Sequence, residues 1–215
     1  MLRLALAVTC LIVVTLCGCP QATPSPDSAD EREPALEFQL ELDGKSLDVR
    51  LDEPFDIEAG AKRSATLRVL PTRAFVRGPV RFRYPREFAF AYQLDPDLSR
   101  WTLHGSHAVL MVNRYGPGLD SALIRAETVK AVTRQYRADQ VTTAPVHLTL
   151  GAVELSGTRI DTRDADAQIR QDLFTFDASG QVWQILLQDT LDDGHPTPEA
   201  ERTLATLRES FAIAN

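Results

Sequence analysis

The alternation of apolar and polar residues predicts β-strands along most of the chain. Strict alternation over 36–42 and 47–51, on either side of the turn signal Asp43-Gly44-Lys45-Ser46, predicts an antiparallel hairpin. The run from Ala108 to Val112 is apolar on both faces, which is typical of a central strand covered on both sides. Further strands are predicted at 65–70, 80–84, 101–104, 146–150, 153–160, 173–176 and 182–187.

Two amphipathic helices are predicted by apolar residues at helical spacing. The first begins at Asp120 or Ser121 and continues to about residue 137, and the second has Thr197 as its N-cap and Pro198 in its first turn. The order of strands, helix, strands and helix predicts an α+β fold, in which helices cover a mainly antiparallel sheet as an αβα sandwich. Residues 36–78 then form an N-terminal β-hairpin extension, and 79–215 form the main domain.

The first 19 residues predict an export signal. A positively charged start is followed by an apolar run over 4–16, which has the length of a signal-peptide core and is too short to span a membrane. The sequence Leu16-Cys17-Gly18-Cys19 resembles the lipobox of bacterial lipoproteins, although Cys17 stands where Ala, Ser or Thr is usual. The resemblance implies cleavage after Gly18 and lipid on the Cys19 sulfur. A plain secretory peptide or an uncleaved anchor remains the alternative.

The segment 20–35 predicts a disordered tether between this signal and the folded part. It contains four prolines and four acidic residues but almost no large apolar side chain, so it cannot bury enough surface to fold. Together with lipid on Cys19, the tether predicts a domain that lies outside the cytoplasm in the bacterial cell envelope, anchored to the inner or the outer membrane.

The main domain also resembles the PsbP-type αβα sandwich family. The resemblance rests on an Arg-Tyr-Pro step that ends a strand, an aromatic residue soon after it, and the pattern of the later strands and last helix. These features are Arg83-Tyr84-Pro85, Phe88, Trp101-Thr102-Leu103, the strand 108–112, Leu173 to Phe176, Gly180, Trp183 to Leu187 and Ser210-Phe211. The family contains binding and assembly proteins more often than enzymes, and it offers no catalytic residues to transfer.

Composition excludes several classes of function. The net charge of −7 argues against a nucleic-acid-binding protein, because such domains usually carry a basic excess. The three cysteines are Cys10, Cys17 and Cys19, so no disulfide, thiolate metal site or cysteine nucleophile is expected after residue 19.

His104 and His107 are the one candidate pair for metal binding or catalysis. If Gly105-Ser106 forms a two-residue turn, the two imidazoles face each other across a hairpin and could share a transition metal. Two ligands are fewer than the three or four that a zinc site uses, so a polar pair at a loop tip is the alternative. Ser106 between them is the only hint of hydrolytic chemistry. No cofactor is expected.

An arginine-rich stretch is the candidate surface for an anionic partner. Residues 59–86 contain eight basic residues and no acid, whereas 35–58 contain eight acids and two basic residues. One interpretation is a cationic face for lipid headgroups, an acidic polymer or a protein; the other is mutual neutralisation between neighbouring strands. The residues proposed for this face are Arg68, Arg73, Arg77, Arg81, Arg83 and Arg86.

These features favour a membrane-tethered, non-enzymatic binding or assembly module with a protein partner in the envelope. A carrier or sensor of a small apolar ligand or lipid is the alternative, because a curved sheet beneath helices can enclose a cavity. An envelope metalloenzyme or hydrolase is the third hypothesis, and it requires a further ligand for the histidine pair.

Overall fold

The computed structural model of the chain describes residues 30–42, 44–50, 65–164 and 167–214. The predicted signal peptide with Cys19, and the tether as far as residue 29, lie outside the described residues. Within the part that is described, no helix has both the length and the apolar composition needed to cross a membrane.

Thirteen strands and two helices make up the described part. The strands are β1 (Glu37–Leu42), β2 (Lys45–Arg50), β3 (Ala65–Val69), β4 (Thr72–Arg77), β5 (Val80–Pro85), β6 (Ala89–Asp95), β7 (Leu98–His104), β8 (Ala108–Pro117), β9 (Val141–Leu150), β10 (Val153–Asp164), β11 (Ala167–Ala178), β12 (Gln181–Thr190) and β13 (Ala212–Ile213). The helices are α1 (Ser121–Thr133) and α2 (Pro198–Ser210).

The strands form one large sheet and two small ones. The large sheet has seven strands in the order β6-β7-β8-β12-β11-β10-β9, and all of its neighbours are antiparallel. The small sheets have the orders β2-β1-β3 and β13-β5-β4. Within the large sheet, consecutive strands pair as hairpins over β6, β7 and β8 and over β9, β10, β11 and β12, and β12 returns to pair with β8.

The main core lies between one face of the large sheet, the β13-β5-β4 sheet and α2. Trp101 on β7 and Trp183 on β12 stack with ring centroids 6.0 Å apart, and Phe75 on β4 meets Trp101 edge to face at 5.6 Å. Phe82 on β5 stacks on Phe75 at 4.6 Å, and Phe211 after α2 adds a further ring at 6.4 Å from Phe82. All five side chains are buried, so aromatic rings fill the space between the two sheets.

Helix α1 lies against strands β10, β11 and β12. Gln184 on β12, which is almost fully buried, donates to Thr128 Oγ1 on the helix at 3.1 Å and accepts from Asn113 Nδ2 on β8 at 2.8 Å. Val132 is the only residue of α1 that is buried, and the helix ends at Thr133 rather than near residue 137. Hydrogen bonds between polar side chains thus attach α1 to the sheet, whereas the sequence predicted that an apolar face of the helix would do so.

The predicted α+β sandwich of helices over a sheet is wrong, because the fold is rich in β-structure. Strands account for 59% of the described residues and helices for 16%, and the sheet has seven strands. A seven-stranded sheet is roughly 30 Å wide at the usual strand spacing, which two 13-residue helices cannot cover. Strands β4 and β5 provide much of the missing cover over the core face. The predicted layering failed because β4 and β6 were absent from the predicted elements.

Candidate functional site

Buried polar contacts fix the start of α2 against the large sheet. Thr197 is the N-cap and accepts from the N–H of Ala200 at 3.2 Å. Asp189 at the end of β12 is itself buried, and it accepts from the Thr197 N–H at 2.9 Å and from Thr197 Oγ1 at 2.7 Å. Each buried polar atom thus has a partner, which sets the position of the helix relative to the sheet.

Glu199 in the first turn of α2 ties the helix to the β7–β8 turn. Its carboxylate accepts from the backbone N–H groups of Ser106 at 3.0 Å, His107 at 2.6 Å and Ala108 at 2.8 Å. Burial acts to raise the pKa of Glu199, but these hydrogen bonds and nearby His107 outweigh it and lower the pKa below its ordinary value. A Cβ atom at Gly105 would lie 2.7 Å from this carboxylate and from the Phe88 ring, so a larger residue there would force these side chains to shift.

The predicted pairing of His104 with His107 is not formed. His104 pairs with Val109, and the Gly105 N–H donates to the Ala108 carbonyl at 2.8 Å, which leaves Ser106 and His107 at the tip of the turn. The two turn residues are therefore displaced by one position from Gly105-Ser106, and the partner of His104 is displaced by two positions, from His107 to Val109. Among the residues that the structure describes, no group of three or more His, Cys, Asp or Glu side chains could hold a metal ion.

A groove of about 360 Å³ lies between α2 and the core face of the large sheet, and we name it the α2 groove. Leu187 on β12 lies on one side of it, and Ala200 and Leu204 of the helix lie on the other. The full lining is Ala108, Val109, Arg159, Arg170, Asp172, Leu187, Gln188, Asp189, Pro196, Ala200, Glu201, Thr203, Leu204 and Arg208. The groove therefore combines an apolar strip with charged residues at its margins.

Three arginines surround the α2 groove. Arg159 donates to both carboxylate oxygens of Asp172 at 2.7 Å, and these hydrogen bonds raise the pKa of Arg159 above its ordinary value. Arg170 donates to Asp161 at 2.8 Å through Nε. Arg208 is exposed at the margin, and no acidic side chain in the described part of the chain forms an ion pair with it. Arg208 is thus the guanidinium best placed to meet an anion.

A second depression, of about 500 Å³, lies beside α1, but its chemistry is less specific. It is lined by Ala122, Arg125, Ala126, Val129, Lys130, Thr133 and Thr158. Six of these seven residues belong to one helix, so the depression is open and has a single wall, whose side chains include Arg125 and Lys130. The α2 groove, with apolar walls on two sides, has the character of a binding site.

Four of the six arginines proposed as an anionic-partner face form ion pairs with acidic residues near the start of the folded part. Their partners come from the arm before β1 and from β1 itself. The pairs are Arg68–Glu41, Arg73–Glu33, Arg77–Asp30 and Arg83–Glu37. Arg81 and Arg86 are exposed and have no ion pair with another described residue. Four of the proposed arginines are thus neutralised by acidic residues of the same chain, as the alternative interpretation expected. Only Arg81 and Arg86 are left to meet an anionic partner.

Residues 30–34 bind across β4, β7 and β8, and we name this arrangement the N-terminal clasp. Every second carbonyl of the segment accepts a side-chain hydrogen bond: Asp30 from Trp101 Nε1 at 2.9 Å, Arg32 from Arg77 at 2.6 Å and Pro34 from Arg73 at 3.2 Å. These three donors come from β4 and β7, and they hold the segment although residues 30–32 form a turn and a bend. The end of the predicted tether is thus held on the domain surface.

The carboxylate of Asp30 is the centre of the clasp. It pairs with Arg114 on β8 at 2.9 Å and with Arg77 at 3.7 Å. The Arg114 guanidinium also lies 5.3 Å from the Trp101 ring centroid and 5.9 Å from that of Trp183, within the range of cation–π attraction. Burial lowers the pKa of Arg77, and Asp30 opposes this by stabilising the charged form.

Sequence reasoning missed both the α2 groove and the N-terminal clasp. The groove draws its lining from β8, β10, β11, β12 and α2, which are far apart in the chain. The acidic residues of the clasp, Asp30 and Glu33, had a signal in the sequence, because an arginine-rich stretch without any acid follows at 59–86. The sequence predicted ion pairs with these arginines only from the acidic residues after residue 35.

No known protein-family model matches the chain, and no curated protein is detectably similar to it. The functional argument therefore depends on the residues themselves and on their geometry.

Proposed function

We propose that this chain is a lipid-anchored, non-enzymatic binding module of the bacterial cell envelope, and that it takes a small amphiphilic anion into the α2 groove. The anchor is supported by the lipobox-like sequence that ends at Cys19. The binding role is supported above all by one observation, the apolar strip of the groove with an exposed arginine at its margin. Ligand sites in proteins commonly combine a mainly apolar lining with a few placed polar groups.

The apolar strip accounts for binding of a hydrocarbon chain. Leu187 and Leu204 are half-buried, so a ligand that covers them removes further apolar surface from water. Each methylene that becomes buried contributes about 0.8 kcal/mol, so eight methylenes contribute about 6 kcal/mol before the entropy of association is subtracted. A short or medium alkyl chain is therefore sufficient for measurable affinity.

The arginine at the margin accounts for an anionic head group. Arg208 is exposed at the margin of the groove, on the same helix face as Ala200 and Leu204, while Arg159 is already engaged by Asp172. A carboxylate or phosphate forms shorter and stronger hydrogen bonds with a guanidinium than a neutral group does. The ligand class that fits is a single-chain carboxylate or phosphate.

The open groove favours a binder or sensor over a carrier that encloses its cargo. Exposed residues such as Glu201 and Arg208 form part of the lining, and the space between the two sheets is filled by aromatic rings. A small amphiphile would thus be held at the surface, where a second protein of the envelope could detect it.

Calorimetric titration with dodecanoate of the chain from residue 20 onward, which lacks the lipid-bearing cysteine, tests the proposal. Ala200→Trp fills the groove, and Ala205→Trp is the matched control, because Ala205 lies on the exposed side of the same helix. We expect wild type and Ala205→Trp to bind and Ala200→Trp to lose binding at least ten-fold. Equal binding by all three proteins, or no binding by wild type, would refute the proposal.

The head-group contact has its own test with Arg208→Gln. We expect this variant to weaken binding of dodecanoate several-fold, because a charge-assisted hydrogen bond is lost, and to leave binding of the neutral dodecanol unchanged. An equal loss for both ligands would show that Arg208 contributes packing rather than recognition of the anion.

A further inference from the structure

Residues 30–36, the arm that contains the N-terminal clasp and precedes β1, follow β4 along its entire length. The Glu37 carbonyl accepts from the Leu70 N–H at 2.9 Å, next to the start of β4, and Glu37 also pairs with Arg83. At the other end of β4, Arg77 holds the Arg32 carbonyl and the Asp30 carboxylate. A six-residue strand is about 17 Å long, so the clasp moves the first fixed point of the chain by roughly that distance.

Along β7 and β8, the clasp and the α2 groove lie at opposite ends of the strands. Asp30 pairs with Arg114, whereas Ala108 at the start of the same strand lines the groove. Six residues separate these two positions on β8, which corresponds to about 20 Å. The same separation appears on β7, where Ser99 bonds to Arg114 and the turn after His104 bonds to α2.

We infer that the N-terminal clasp turns the Arg114 end of the sheet toward the lipid surface and the α2 groove away from it. This inference rests on the proposed anchor at Cys19. The chain enters the domain at Asp30, so ten residues separate it from Cys19 and span at most about 40 Å. A flexible linker of these ten residues has a root-mean-square span of about 17 Å, less than the roughly 20 Å between the two ends, whereas the 17 residues before Glu37 would span about 23 Å if the clasp were absent.

The orientation has a consequence for the ligand. A groove at the membrane-distal end takes its amphiphile from the aqueous compartment, and direct extraction from the bilayer that carries the anchor is unfavourable. The clasp thus separates the site of anchoring from the site of binding within one small domain.

Energy transfer on vesicles measures the orientation. No cysteine follows Cys19, so a single introduced cysteine in the native lipidated protein can carry a dye. Leu94→Cys reports on the clasp end, because Leu94 is exposed and pairs with Ser99 beside Arg114. Ser106→Cys reports on the groove end; Ser106 is exposed and its backbone alone contacts Glu199.

With a head-group acceptor in phosphatidylcholine vesicles, we expect transfer from position 94 to exceed transfer from position 106 at least two-fold. Equal transfer, or more transfer from position 106, would overturn the inference. Absence of transfer from both positions would show that the protein is not anchored, and the proposed function would fail together with the inference. A failure of groove binding alone is measured separately by titration.

Variants of the arm separate orientation by the clasp from orientation by other forces. Asp30→Asn combined with Glu33→Gln removes both carboxylates that the arginines hold, and the difference between positions 94 and 106 should fall below 1.3-fold. Glu31→Gln is the matched control, because Glu31 lies in the same arm and forms no ion pair with another described residue. This control should keep the two-fold difference. A double variant that keeps it as well would overturn the role of the clasp.

Discussion

The carboxylate of Glu199 should stabilise the fold in a pH-dependent way. It is the acceptor for three backbone N–H groups of the β7–β8 turn, and it joins α2 to the sheet. In Glu199→Gln the side chain is neutral and keeps a single acceptor oxygen, so at least one N–H loses its partner. Hydrogen bonds to charged groups contribute about 1.5–3 kcal/mol, and partial exposure reduces this, so we expect a loss of about 1–2 kcal/mol at pH 7.

The direction of the pH effect follows from the lowered pKa of Glu199. A carboxyl group with a lower pKa in the folded state stabilises the protein fully above its unfolded pKa of about 4.3. That stabilisation is lost as the pH falls through the folded pKa. The difference between wild type and Glu199→Gln should thus be constant from pH 8 to pH 5 and should shrink below about pH 4.

Urea denaturation followed by circular dichroism provides the free energy of unfolding at each pH. Glu201→Gln is the matched control, because Glu201 lies in the same first turn but binds no backbone N–H of the β7–β8 turn. We expect this control to change stability by less than about 0.5 kcal/mol. If the two variants lose equal stability, or if the loss in Glu199→Gln grows as the pH falls, the reasoning is refuted.

Two further substitutions test the packing around the groove. Gly157→Ala would place a Cβ atom against the carbonyl oxygen of Leu173 on the neighbouring strand, so we expect a loss of about 3 kcal/mol in thermal or urea unfolding; a loss under 0.5 kcal/mol would contradict the close strand approach. Asp189→Asn replaces an acceptor oxygen opposite the buried Thr197 N–H, so we expect a loss of about 1–2 kcal/mol and weaker dodecanoate binding, since α2 forms one wall of the groove. Unchanged stability of Asp189→Asn would show that the helix start is held in another way.

Local sequence signals identified several elements correctly. The alternation over 36–42 and 47–51 corresponds to the paired strands β1 and β2, and the N-cap Thr197 with Pro198 marks the start of α2. These signals act within a few residues, through side-chain alternation and capping, and they survive in the folded chain. They identify elements, but they do not say which layer covers which.

The layering could not be predicted because it depends on contacts between distant segments. Strand β4 was not predicted, although its Phe75 packs on Phe82 and Trp101 in the main core. Glu199, more than ninety residues away in the chain, binds the N–H groups of the β7–β8 turn in its observed register, in which His104 pairs with Val109 and not with His107. The PsbP-type resemblance rests on short motifs, so it does not predict these contacts between distant segments.

The α2 groove as the site for an amphiphilic anion is the central claim of this account. Nuclear Overhauser contacts between the alkyl protons of bound dodecanoate and the leucine methyl groups of the protein test it most directly. We expect contacts to Leu187 and Leu204, which line the groove, and none to the exposed Leu47 and Leu67 of the small N-terminal sheet. Contacts to Leu47 and Leu67 in place of the groove leucines would contradict the claim.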